Sequence, residues 1–206
     1  MSELNSIKAY MRDINLEILT NCPDVKIDIS KRFYNKFRLF YPSRKLINYV
    51  TKIGGVLTGS RAIRCYTIGG KPILERKVND WDFIVTLDMA FKICADMGIS
   101  EIPEIDGVIS IKNQRRWAHP SYEDSYRVGP VDVQLIVREE LPDFNEINGV
   151  RISNFGYSVS QKISLTTELQ NLLSKGSETS QQYVKHISDL KEMIIKFNSL
   201  KWKQQA

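Results

Sequence analysis

The chain has 206 residues, 42% of them hydrophobic and 26% charged, an ordinary globular composition with room for one sizeable core and an appended helical part. Its formal charge of +5 is unevenly placed: residues 1–50 carry 9 Lys/Arg against 5 Asp/Glu, residues 51–150 carry 12 against 15, and residues 151–206 carry 8 against 4. Cys22, Cys65 and Cys94 are far apart with no CxxC pair, so neither a zinc knuckle nor a disulfide framework is suggested, and no window approaches the ~18 apolar residues of a membrane span, so a cytoplasmic protein is expected.

Neither an internal repeat nor a low-complexity linker is visible. From Ser30 to Lys52, Phe33, Phe37, Phe40, Leu46, Ile47 and Val50 recur at helical spacing, and Pro42 divides the stretch into two expected helices. Lys52 to Thr58 reads as a short buried strand that enters the turn Gly59-Ser60, after which RAIRCY can start a helix. Residues 67–79 read as an irregular connection with a Gly-Gly turn. Trp81 to Thr86 reads as a strand and Leu87 to Met97 as a helix, followed by strands at Val108 to Lys112 and Val131 to Val137. The segment between those last two strands, residues 113–130, is a polar and aromatic excursion. A short strand at Gly149 to Ser153 precedes two or three helices, broken near Lys175-Gly176-Ser177. The fold class is therefore α+β, a mixed sheet flanked by helices, with a core and N-terminal helices over 1–155 and a C-terminal helical part over 156–206.

Asp80 and Asp82 stand two apart at the start of a strand, so their carboxylates share a face, and two like charges that close call for a cation. Asp132 interrupts an apolar strand, where burial alone would cost several kcal/mol unless it is paired or metal-bound. If the two strands are neighbours, the three acids converge on what Mg²⁺ prefers: oxygen ligands, with water and phosphate completing the shell. Gly59-Ser60 supplies backbone N–H groups and one hydroxyl where a phosphate could approach closely. Taken singly, each signal has a bland reading: a solvated turn, an ordinary helix start, an acid on an edge strand. Their order and strand settings together favour a site.

The segments VLTGSRA (56–62), NDWDFIV (79–85) and VDVQLIV (131–137) resemble the three signature motifs of the DNA polymerase beta-type nucleotidyltransferase superfamily, whose small bacterial and phage-type members the chain is most similar to. That resemblance implies a nucleotidyltransferase-like sheet. It also implies that Asp80, Asp82 and Asp132 are catalytic ligands of Mg²⁺ or Mn²⁺, with Asp132 also the general base. Gly59 and Ser60 would be contacts for a nucleoside triphosphate, and Lys162, on the helix after the last strand, would reach that triphosphate. KHISDLKEMI (185–194) is similar to a KD-x-x-D-L helix of many small members, with His186 in place of the first acid.

Other residues carry weaker expectations. Arg61 and Arg64 follow the Gly-Ser turn and could pair with phosphate or with the acids, Arg61 being favoured by adjacency. Lys185 and Asp189 could form an i,i+4 pair or brace their helix against the site. The excursion holds Arg115, Arg116, Trp117, His119, Tyr122 and Tyr126, a mix suited to stacking on a base and pairing with phosphates, although a hairpin whose aromatics cover the sheet edge is the favoured reading. His119 and His186, the only histidines, are too distant in sequence to suggest zinc, and no motif makes Ser60 a covalent nucleophile. The interval from Ser60 to Asp80 is long for the resembled family, making TIGGKPILERK a lid, an acceptor-recognition segment or a plain insertion. The expected activity is transfer of a nucleoside monophosphate to an RNA end, a protein hydroxyl or a small molecule; the alternative is a non-catalytic nucleic-acid- or protein-binding module on the same fold.

Overall fold

The computed structural model describes residues 3–13, 22–29, 41–78, 80–112 and 132–204, with the description at 41–44, 112, 132 and 201–204 confined to the backbone. The chain is α+β. It divides into two compact units, one of Met1–Asn35, Ala62–Arg76 and Asn154–Ala206, the other of Lys36–Arg61 and Lys77–Ser153. No helix of the described residues is long and apolar enough to cross a membrane.

The second unit is built on a mixed sheet of six strands. These are β2 (Val56–Thr58), β5 (Trp81–Thr86), β6 (Val108–Lys112), β7 (Asp132–Arg138), β8 (Phe144–Ile147) and β9 (Val150–Ser153), in the order β6-β7-β5-β2-β9-β8. β5 runs parallel to β7 and β2 parallel to β9, while the pairs β2-β5, β6-β7 and β8-β9 are antiparallel. Trp81, Phe83 and Val85 alternate along β5 and are buried, as are Val133, Leu135 and Val137 on β7, so one face of the central strands is wholly apolar. Helix α2 (Tyr41–Lys52) buries Leu46, Ile47 and Val50. Its Pro42 lies in the first turn, where a missing N–H costs nothing, and does not divide the helix. The helix expected before it lies outside the described residues, as does the excursion at 113–130.

Helix α4 (Leu87–Met97) starts where the Thr86 hydroxyl accepts from the Met89 N–H, and it stops at Gly98, whose φ of +66° is left-handed. β8 and β9, an unexpected hairpin in place of a lone strand, turn through Asn148 and Gly149, both with positive φ, which is the preferred two-residue hairpin geometry.

The first unit gathers α1 (Glu3–Asp13), β1 (Val25–Ile27), β3 (Tyr66–Ile68), β4 (Lys71–Pro72), α5 (Phe155–Ser174) and α6 (Ser180–Gln204). Helix α3 (Gly59–Cys65) carries the chain from one unit into the other. β3 and β4 form a hairpin through Gly69 and Gly70, both at positive φ, and β1 completes a three-stranded sheet. Tyr66, Phe155 and Phe197 meet edge to face at 5.1 and 5.5 Å, a buried aromatic centre joining β3, α5 and α6. Asn154 caps α5 by accepting from the Tyr157 N–H at 2.7 Å, and the two long helices separate after Ser174, near the expected break.

Candidate functional site

Gly59 ends β2 with φ +67°, a conformation that L side chains rarely adopt. A Cβ built there would lie 2.2 Å from Asp82 Oδ2. The carboxylate of Asp82 therefore rests against the bare Cα of Gly59, and only glycine permits both the turn and the contact. Asp82 reaches this position because β5 pairs with β2 so that Asp82 stands opposite Thr58, the residue before the glycine.

On its other side β5 pairs in parallel with β7, with Trp81 opposite Val133 and Asp82 opposite Gln134. One step back along both strands are Asp80 and Asp132, so the backbone of Asp132 stands level with Asp80, and the adjacency on which the acid trio depended is present. The side chain of Asp132 is outside the description; Asp80 and Asp82 are both half-buried. Among the described residues no three His, Cys, Asp or Glu side chains are grouped as metal ligands. The donor set at this point, two same-face carboxylates with a third acid in the adjoining strand, is oxygen-only and suits a hard divalent cation.

Arg61 has a defined position one residue beyond Ser60. It is 6% exposed, donates from Nε to the Asp80 carbonyl at 2.9 Å and from Nη2 to the Val78 carbonyl at 2.7 Å, and lies 4.0 Å over the Trp81 ring. This guanidinium fixes the backbone that delivers Asp80 to the start of β5, a positioning task that adjacency to the Gly-Ser turn did not reveal. Arg64 belongs to the other unit, where it donates to the Arg76 carbonyl.

Lys162 is also in the first unit, and it is not a solvated helix lysine. Its ammonium is 2.6 Å from Asp189 Oδ2 and 3.1 Å from His186 Nδ1, with side-chain exposure of 4% for Lys162 and 1% for Asp189. Arg76 closes the cluster with a two-pronged contact to the same carboxylate at 2.5 and 2.6 Å. Burial pushes the Asp189 carboxyl up, but the Arg76 hydrogen bond and the Lys162 charge outweigh it and hold the group below the usual carboxylate value. Burial draws the Lys162 ammonium down against the pull of Asp189. His186 is pushed down to about 4 by burial and then by the Lys162 charge, so its ring is neutral at pH 7 and can accept from the ammonium. Asp189 thus takes Arg76 and Lys162 as partners where i,i+4 spacing pointed to Lys185.

The long interval after Ser60 is likewise built in. Ile73 and Leu74 are fully buried, Lys196 donates to the Pro72 carbonyl at 2.5 Å and reaches Glu75 at 2.9 Å, and the Glu75 N–H donates to Glu192 at 2.8 Å. Together with the Arg76 contact these bonds fasten residues 72–76 to α6, so this stretch is a packed connection and not a free lid.

Compared with family models, with curated proteins and with solved structures, the chain matches none.

Proposed function

We propose that the chain is a metal-dependent nucleotidyltransferase of the polymerase beta type, moving a nucleoside monophosphate from a triphosphate to a hydroxyl acceptor. The observation that carries this reading is the seating of the Asp82 carboxylate against Gly59, with β7 parallel beside β5 so that Asp132 stands level with Asp80. A solvated Asp-x-Asp turn needs neither a glycine it can press against nor a third acid in the next strand.

In this reading Asp80, Asp82 and Asp132 hold divalent cations, Mg²⁺ or Mn²⁺, which when bound neutralise charge on the phosphates and lower the barrier to attack. Ser60 and the backbone at Gly59 contact the triphosphate. Arg61 keeps Asp80 in place by gripping its carbonyl. The acceptor oxygen bonds to the α-phosphorus, the bond from that phosphorus to the bridging oxygen breaks, and pyrophosphate leaves; Asp132 takes the acceptor's proton. Catalysis is mainly positioning and charge stabilisation. Lys162, the lysine that the resemblance assigns to the triphosphate, is ion-paired with Asp189, which links α5 to α6.

Calorimetry of ATP and GTP with Mg²⁺ tests the reading against the Asp80→Ala, Asp82→Ala double variant. Binding by the wild type that the variant loses is expected. A wild type that binds neither nucleotide, or a variant that binds equally well, would sink it. Incubation of cell extract with each α-labelled triphosphate then assigns the acceptor to RNA, protein or small molecules.

A further inference from the structure

One cross-strand row of the six-stranded sheet is polar on five strands. Register sets Thr58 opposite Asp82, Asp82 opposite Gln134, and Gln134 opposite Ser110. Ser153 joins the row by donating its hydroxyl to Thr58 at 3.2 Å. Cross-strand partners share a face, so five polar side chains stand side by side across five strands. The next row on that face is Arg151, Val56, Ile84, Ile136 and Val108, apolar on every one of those strands but β9.

Exposure rises along the polar row. Ser153 and Thr58 are 0% and 3% exposed and bond to each other, Asp82 and Gln134 are half-buried, and Ser110 is exposed. The row is closed toward β9 and open toward β6. A carboxamide at a central-strand position has no apolar packing to offer; Gln134 brings two N–H donors and a carbonyl acceptor to the flank of Asp82, roughly 5 Å away between Cβ atoms.

The role of this row rests on the function proposed above. Gly59 and Ser60, the triphosphate side, lie on the β2 flank of Asp82, and β7 is the neighbour of β5 on the other flank. Attacking and leaving oxygens sit roughly in line across the transferred phosphorus, so the acceptor arrives from the flank opposite the pyrophosphate. We infer that Gln134 is a specificity-determining residue for the acceptor and that Ser110 extends its reach. Both side chains are neutral and both donate and accept. They fit a group bearing hydroxyls next to the attacking one, as a sugar does. An RNA terminus and a free sugar-containing small molecule present that same chemistry.

The test uses full-length protein, α-labelled ATP and GTP with Mg²⁺, and three acceptor preparations: total RNA, total protein, and the small-molecule fraction of an extract. Gln134→Ala and Ser110→Ala are compared with wild type, the latter at an exposed site where folding is not at stake. The expected result is label in the RNA or small-molecule arm, which identifies the source. Nucleotide binding should stay within about twofold of wild type, and the acceptor amount giving half-maximal transfer should rise about fivefold for Gln134→Ala and less for Ser110→Ala. Label confined to protein overturns the sugar assignment. Transfer equal to wild type in both variants, or nucleotide binding that falls in step with transfer, overturns the role of Gln134 while leaving the nucleotidyltransferase reading intact. A wild type that labels nothing and binds no nucleotide removes that reading and this inference together.

Discussion

His186 is held neutral in a cluster of charges. Facing it are Lys162, Asp189, Lys185 and Arg76, and the ring accepts from Lys162 because burial and that charge keep its own proton off until about pH 4. An unfolded chain would protonate the same histidine near 6.5. Between those values the unfolded state binds a proton the folded state refuses, so stability falls as pH drops, by at most ~1.4 kcal/mol per pH unit, and the contribution is fully present above 6.5. His186→Gln should therefore flatten the loss of stability between pH 7 and pH 5 by about 1–2 kcal/mol, read from urea unfolding at the two pH values. Identical losses in variant and wild type would show that the ring does not titrate with folding. Lys162, His186 and Asp189 each stood out in the sequence, but not as one cluster: Arg76 is 113 positions from Asp189, and for Asp189 the sequence offered the i,i+4 neighbour Lys185 or a brace of the helix against the site. For Arg61, proximity along the chain pointed to phosphate or to the acids, and the fold adds two backbone carbonyls, those of Asp80 and Val78, that only the chain's long-range course brings to it.

At the scale of elements, strands whose side chains are mostly buried were readable. β2, β5, β7 and β9 are largely apolar, with a few polar interruptions such as Asp82, Gln134 and Arg151, and α4 has both of its caps in the sequence. The elements that escaped are short, exposed or both. β1 has three residues, β8 alternates between exposed and half-buried positions, and the β3-β4 hairpin is three residues against two. The Asn148-Gly149 turn was a usable hairpin signal that went unread, and Leu4, Ile7 and Met11 were an available helical stripe. The turn between β2 and α3 was legible as Gly-Ser, but its reason was not: the glycine accommodates Asp82 as well as the backbone. Gly59→Ala should cost about 1–2 kcal/mol for the left-handed backbone alone, and it should also displace the Asp82 carboxylate, whose oxygen occupies the space of the new Cβ. The outcome expected is a modest drop in melting temperature with a disproportionate loss of Mg²⁺-dependent nucleotide binding. A variant that melts lower yet binds nucleotide normally would mean the contact shapes the turn and nothing more.

For the molecule as a whole, the acid site sets stability against function. Asp80 and Asp82 present two half-buried carboxylates to one face at adjoining pleat positions, and without a cation their charges repel. A domain's net stability is only ~5–15 kcal/mol, so a repulsion of about 1 kcal/mol is a measurable fraction of it. Asp80→Asn keeps the shape, leaves the Asp80 carbonyl available to Arg61, and removes the repulsion between the two side chains. The ligand-free variant should gain about 1 kcal/mol, which for a chain of this length is a rise of roughly 2–4 °C in Tm. Wild type should in turn gain stability from ATP or GTP with Mg²⁺ in excess, by mass action on the folded state, and Asp80→Asn should not. The two melts must move in opposite senses: the variant above wild type when empty, below it when nucleotide and Mg²⁺ are present. A variant that melts below wild type in both conditions would make Asp80 a structural carboxylate and withdraw it from the site.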